Sequence, residues 1–312
     1  MTVADVYAAF ADQEARGTSP HYERLARAVS GDDELLGLVR SLPPDKWQPN
    51  LLFGVVRLHG GPVEDPAAFR EYVLTHWPAI AAEVRVRITQ TNEAGRCAVL
   101  LPVLATLPPP LALLEVGASA GLCLYPDRYA YRYGDHHVGD GSPVLDCAAT
   151  GTPLPDSVPE VGWRAGLDVN PLDVTDPADV AWLDALIWPE HDHRRERLRA
   201  AAAVAAADPP VLVRGDLLDD LPALAARAPA GATLVVFHTS VLYHVPRPRR
   251  EAFAEMVRAL PGHWVSNEAA DVMGYAGLPR PPDGGSLHNV LALDGTPLAW
   301  TRSHGQAMTW FG

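Results

Sequence analysis

Three consecutive prolines, Pro108-Pro109-Pro110, divide the chain into two stretches whose apolar residues follow different periods. Proline lacks the main-chain N–H and its ring clashes with the preceding turn, so no helix runs through the triplet. A domain boundary is expected there, with a helical N-terminal domain at 1–108 and a second domain at 109–312.

Upstream of the prolines, apolar residues recur every three or four positions. Helices are expected from about Ala4, from Pro20 to Val29 and after Asp32. The clearest has Asp65 as its cap and Pro66 at the first helical position, and it carries Phe69, Val73, Trp77, Ile80 and Val84 on one stripe that must face a core. Another starts around Asn92 and runs through Cys97, Leu100, Leu101 and Leu104. Gln90, Asn92, Glu93 and Arg96 form the most polar cluster of this region. They either line a substrate pocket or cap and pair along a helix surface.

Downstream, short apolar runs alternate with helical stretches, the pattern of a parallel sheet covered on both faces. Strands are expected at Leu111 to Val116, Gly162 to Leu167, Val211 to Arg214, Thr233 to Phe237 and Trp264 to Asn267. A hairpin follows, Asn289 to Leu293 and Ala299 to Thr301, turning at Asp294-Gly295. Helices fit between the strands at Ala178 to Ile187, Glu190 to Ala207, Leu218 to Arg227 and Pro248 to Leu260. The fold class is therefore α/β: a mostly parallel sheet with an antiparallel C-terminal hairpin, preceded by helices. Ligands of such open sheets bind at the carboxyl ends of the strands. Between the first two strands, around 125–160, Tyr129, Tyr131 and Tyr133 alternate as in a β-ribbon, whose rings either cover the site as a lid or pack as an extra hairpin.

The first of these strands ends in Leu113-Leu114-Glu115-Val116-Gly117-Ala118-Ser119-Ala120-Gly121, where small residues let the backbone approach a ligand closely. This strand and loop resemble the first motif of class I S-adenosylmethionine-dependent methyltransferases, an acidic residue followed by a Gly-x-Gly-x-Gly-like loop; here Ser119 replaces the middle glycine. The resemblance extends over roughly Leu111 to Phe311 and is nearest to a bacterial methyltransferase-like branch. It implies a Rossmann-like fold and a site for S-adenosylmethionine, with Glu115 near the amino group of the methionine portion and Gly117, Ala118, Ser119 and Gly121 lining it. It further implies that Asp168, closing the second strand, binds the ribose hydroxyls, with Asp140 as the competitor at the more usual spacing. Asp216, with Leu217 beside it, corresponds to the position that contacts the adenine; Asp216 could equally cap the next helix.

In such enzymes the segment after the fourth strand holds the acceptor, and here it reads Phe237-His238-Thr239-Ser240-Val241-Leu242-Tyr243-His244. Methyl transfer is chiefly alignment and desolvation, aided by a base of near-neutral pKa, which makes His238 and His244 the candidate catalytic residues. Tyr243 and Glu268, with Asn92, Glu93 and Arg96, are the candidate substrate-binding set.

Composition narrows the partners. A formal net charge of −13 repels phosphate backbones, and no apolar run is long enough to span a bilayer, so neither nucleic acid nor a membrane is an expected partner. Cys97, Cys123 and Cys147 show no paired spacing, and His191-Asp192-His193 lies on an expected helix where i, i+2 side chains diverge, so no metal is expected. The opening residues lack a signal-peptide pattern, which points to the cytoplasm. The expected function is methyl transfer to a small-molecule acceptor. Two other readings stand beside it. Gly117-Ala118-Ser119-Ala120-Gly121 is also the G-x-S-x-G elbow of an α/β-hydrolase-type serine esterase, with His59-Gly60-Gly61 as an oxyanion loop and Asp216 with His288 or His304 completing a triad. The third is a non-catalytic ligand-binding protein of the methyltransferase type.

Overall fold

The computed structural model describes residues 1–282, 284 and 288–312. Two compact units emerge, 1–91 with 175–196, and 92–174 with 197–312. The boundary thus falls before the expected helix at Cys97, which belongs with the sheet, and the first unit takes in a later excursion.

The first unit is helical. It comprises α1 (Val3–Phe10), α2 (Pro20–Ser30), α3 (Asp33–Arg40), α4 (Pro49–Leu58) and α5 (Pro66–Val86). Thr2, Ser19, Asp32 and Asp65 each cap a helix with a side-chain oxygen, satisfying N–H groups the helix itself leaves unpaired. The stripe on α5 buries Phe69, Val73, Ile80 and Val84 as its spacing requires, with Trp77 half-buried. Aromatic rings of Tyr7, Phe10, Tyr22, Phe53, Phe69 and Trp188 interlock edge-on or tilted in its core. After the glycine loop and the first strands the chain returns to this unit in α7 (Pro177–Leu186), which packs on α4; an added Cβ at Gly54 would sit 2.9 Å from Leu186 Cδ2, so only glycine permits that approach.

The second unit carries α6 (Cys97–Leu104) and a sheet of nine strands. Its parallel centre is formed by β1 (Leu111–Val116), β6 (Val161–Asp168), β7 (Val211–Arg214), β8 (Thr233–Thr239) and β9 (His263–Ala269) in the order β7-β6-β1-β8-β9. Every residue of β1 is buried, as befits a strand flanked on both sides and covered on both faces. Antiparallel strands β10 (Asn289–Leu293), β11 (Thr296–Thr301) and β12 (Ala307–Trp310) extend the sheet beyond β9, and Asp294 and Gly295 supply the two left-handed residues of the tight β10–β11 turn. The helices α9 (Leu221–Ala225), α10 (Arg247–Ala259) and α11 (Ala270–Met273) connect the later strands, while α8 (Asp192–Ala207) begins in the first unit and ends in the second. The expected helix from Leu218 to Arg227 is thus shorter, because Asp216 and Asp220 first shape a turn. On one face Leu114, Val116, Val236, Phe253 and Trp264 form the core under α9 and α10.

The tyrosine-rich insertion is a three-stranded sheet, β2 (Ala130–Tyr133) flanked by β3 (His136–Val138) and β4 (Val144–Asp146), followed by β5 (Ala148–Thr150), which pairs with β12. Its tyrosines are structural. Tyr129, Tyr131 and Tyr133 are buried and donate their hydroxyls to the carbonyls of Leu122, Pro126 and Ala98.

Candidate functional site

The chain crosses from β1 to β6 on one side and reaches β8 on the other, so the carboxyl end of β1 lies where the strand order reverses. Open α/β sheets take their ligands at that point. Glu115, the last but one residue of β1, is 2% exposed, and its Oε2 has no hydrogen-bond partner. Burial pushes its carboxyl pKa well up, Cys123 and Asp168 add to the rise, and the Arg96 charge opposes it.

The loop beyond β1 is held from within. Gly117, Ser119 and Gly121 all take left-handed backbone conformations. The amides of Gly117 and Ala118 donate to Leu167 O, that of Ser119 to Asp168 Oδ2 at 2.7 Å, that of Gly121 to Ala118 O and that of Leu122 to Asn92 Oδ1 at 2.9 Å. Asn92 completes its grip by donating Nδ2 to Ala118 O. With these amides spent on the protein, the loop is not a phosphate cradle, and a single 3-10 turn, Leu122–Leu124, follows it where the sequence suggested a helix start. Gly117 is required by packing as well as by conformation, since an added Cβ would lie 2.4 Å from Val241 Cγ2.

The other acidic positions are more occupied. Asp168 stands at the end of β6, but Oδ2 accepts from Ser119 and Oδ1 from the Asn170 amide, so its first task is to brace the loop. Asp216 receives Arg249 on both oxygens and caps the turn through Leu218 N; these contacts, the amide first, hold its carboxyl below the usual range. Leu217 packs against the core under α9 and α10. Asp140 lies between β3 and β4, far in sequence from any sheet end.

On the α10 side of β8 and β9 a closed network replaces the expected base. His238 is wholly buried; Nδ1 bonds Glu268 Oε1 at 2.7 Å and Nε2 accepts from Trp264 Nε1 at 3.0 Å. The indole can only donate, so Nε2 carries the lone pair and Nδ1 the proton, leaving neither nitrogen for a substrate. The same Glu268 oxygen accepts from the amides of Val241 and Leu242, while Oε2 has no partner. Glu268 therefore holds the segment after β8 and, through Val241, the cover on Gly117. His244 and Tyr243 lie exposed on that segment with their rings 3.8 Å apart, and partial enclosure holds the His244 pKa below its ordinary value against the pull of Glu268.

The opposite side of the same strands is polar and less complete. Arg96, 7% exposed, donates Nε to Ser303 O and Nη1 to the carbonyl and hydroxyl of Thr239. Thr239 pairs across the ladder with Asn267, whose Oδ1 accepts from Thr301 Oγ1 and whose Nδ2 lacks a partner. Asn289 adjoins them, donating Nδ2 to Ser240 Oγ. Glu93 caps the turn before α6 through Gly95 N and pairs with Arg197 Nε at 2.7 Å. Of the residues expected to bind substrate, Asn92, Glu93 and Arg96 thus come to the carboxyl end of the sheet, the first two as braces. Thr239, Asn267 and Trp264 were not singled out from the sequence; a polar residue at the end of an otherwise apolar strand was the available signal.

The elbow reading finds little here. Ser119 Oγ is buried without a partner, β1 is the first strand of its sheet, Asp216 is committed to Arg249, and His59 ends α4. No helix of the described residues is long and apolar enough to cross a membrane.

No curated protein and no solved structure matches this chain. A family described as "Uncharacterized protein conserved in bacteria (DUF2332)" matches residues 4–310, which is nearly the whole length, and the chain belongs to that family.

Proposed function

We propose that this protein binds S-adenosylmethionine at the carboxyl end of β1, in a Rossmann-like methyltransferase fold, and transfers a methyl group to a small-molecule acceptor. The observation that carries this reading is Glu115: a fully enclosed carboxyl with one unpartnered oxygen, at the switch point of a parallel sheet, beside a loop whose amides are already used. Such a group is costly unless a ligand with N–H donors or positive charge completes it. The strand order β7-β6-β1-β8-β9, followed by an antiparallel neighbour, supports the same reading.

When bound, the cofactor supplies an electrophilic methyl group on sulfur. The chain's own residues do the rest by holding and excluding. Glu115 and the Ser119 hydroxyl, also unpartnered, would take the ammonium of the methionine portion. Asp168 retains lone pairs for a ribose hydroxyl while bracing the loop. Asp216, tied to Arg249, is a poor adenine contact, and His238 is a positioning residue with no free nitrogen. His244 alone keeps the role of a base. Calorimetry with S-adenosylmethionine and S-adenosylhomocysteine tests the proposal; the folded protein should bind both, and binding of neither would refute it. The saturated state of His238 favours a second reading, a protein that binds the cofactor without transferring its methyl group, and product formation from a library of acceptors separates the two.

A further inference from the structure

Arg96 is the most conspicuous unused charge in the second unit. Its guanidinium is nearly enclosed, yet its three hydrogen bonds go to neutral oxygens, and it forms no ion pair among the described residues. Nη2 makes no hydrogen bond among them. A buried cation without a counter-ion is unfavourable, and guanidinium groups are suited to flat oxyanions. The groups beside it, Thr239, Ser240, Asn267, Asn289 and Thr301, are all neutral, and the unpartnered Nδ2 of Asn267 adds a second donor. Glu115, one strand away, is held toward its neutral form by burial and does not touch Arg96.

Charge balance points the same way, on the reading that S-adenosylmethionine occupies the site. The cofactor carries a sulfonium, an ammonium and a carboxylate; adding ionised Glu115 and Arg96 leaves one positive charge over. The strip from Thr239 to Thr301 runs away from the glycine loop, across β8, β9, β10 and β11, on the side where the segment after the fourth parallel strand would hold an acceptor. We propose that Arg96, assisted by Asn267, binds a carboxylate on the acceptor, so that the substrates of this protein are small organic acids.

The test pairs acids with their uncharged isosteres: acetate with acetamide, benzoate with benzamide, indole-3-acetate with indole-3-acetamide. Binding is measured by ligand-detected NMR to the full chain, with and without saturating S-adenosylhomocysteine. At least one acid should bind about 10-fold or more tighter than its amide, as a charge-assisted pair requires. Arg96→Gln should remove that preference while changing the affinity for S-adenosylhomocysteine by less than about threefold, and Arg96→Lys should restore part of it. Equal binding of every acid and amide by the wild-type chain, or no binding of either, overturns the proposal, and needs no variant to fold. A loss of S-adenosylhomocysteine binding as large as the loss of acid binding would instead assign Arg96 to the cofactor and also overturns it. Failure of the wild-type protein to bind S-adenosylhomocysteine would refute the methyl-transfer reading, whereas the acid preference without it still decides the role of Arg96.

Discussion

The two sides of strands β8 and β9 are built from similar residue types but finished differently. On the α10 side, His238, Trp264 and Glu268 bond to one another and to the backbone, with only Glu268 Oε2 left over. Across the sheet, Glu115 Oε2, Asn267 Nδ2 and the Nη2 end of Arg96 are all without hydrogen-bond partners among the described residues. Folding tolerates the first arrangement because its members replace lost water by each other; the second is costly until something else enters. Completeness of hydrogen bonding, more than residue identity, separates framework from binding surface here.

That contrast can be broken experimentally. The largest effect should come from His238→Ala, which leaves the Trp264 indole and Glu268 unsatisfied around a new cavity: a destabilisation of about 3–5 kcal/mol in chemical denaturation. A mild loss would mean that the network is no framework. Glu115→Gln should do the reverse, keeping or raising stability while weakening S-adenosylmethionine binding about 10- to 100-fold by calorimetry; unchanged affinity would place the ligand elsewhere.

Acidity sharpens the same comparison. Because burial raises the Glu115 pKa in the folded state, its contribution to stability is full below the ordinary carboxyl range and is lost as pH rises toward the raised value. Denaturation midpoints should show that decline in the wild type and not in Glu115→Gln, while affinity for a cationic ligand, which favours the ionised form, should grow over the same interval. Asn92→Ala, which frees Ala118 O and Leu122 N, should cost about 1–3 kcal/mol of stability with a matching loosening of ligand binding. The smallest change is expected from Ser119→Ala, within about 0.5 kcal/mol, because its hydroxyl makes no bond inside the protein. Covalent labelling of the wild type by a fluorophosphonate, lost in that variant, would revive the hydrolase alternative.

The sheet was legible because its strands are short apolar runs between turn residues, and β1 falls at the residues expected, Leu111–Val116. The Asp294-Gly295 hairpin and the Asp65-Pro66 helix start were equally plain, each written in two residues. By contrast α4 was overlooked: Leu51 through Val56 are all buried, so it shows no polar face, and its cap, Gln48, makes no side-chain bond. Strands β5 and β12 have three and four residues, too few to show a period. The chemistry of His238 was illegible for another reason. Whether its nitrogens are free depends on Trp264 and Glu268, 26 and 30 positions away, and only the fold brings them together.

The junction of β5 with β12 sets a timetable for the nascent chain. Ala148–Thr150 pairs in parallel with Ala307–Trp310, so the far border of the sheet stays unfinished until nearly all of the polypeptide has left the ribosome. Contacts of such long sequence separation form late and slow folding, and the waiting edge of β11 is open to other chains meanwhile. Interruption of synthesis shortly before Ala307 should therefore yield aggregates, not a slightly shorter working protein.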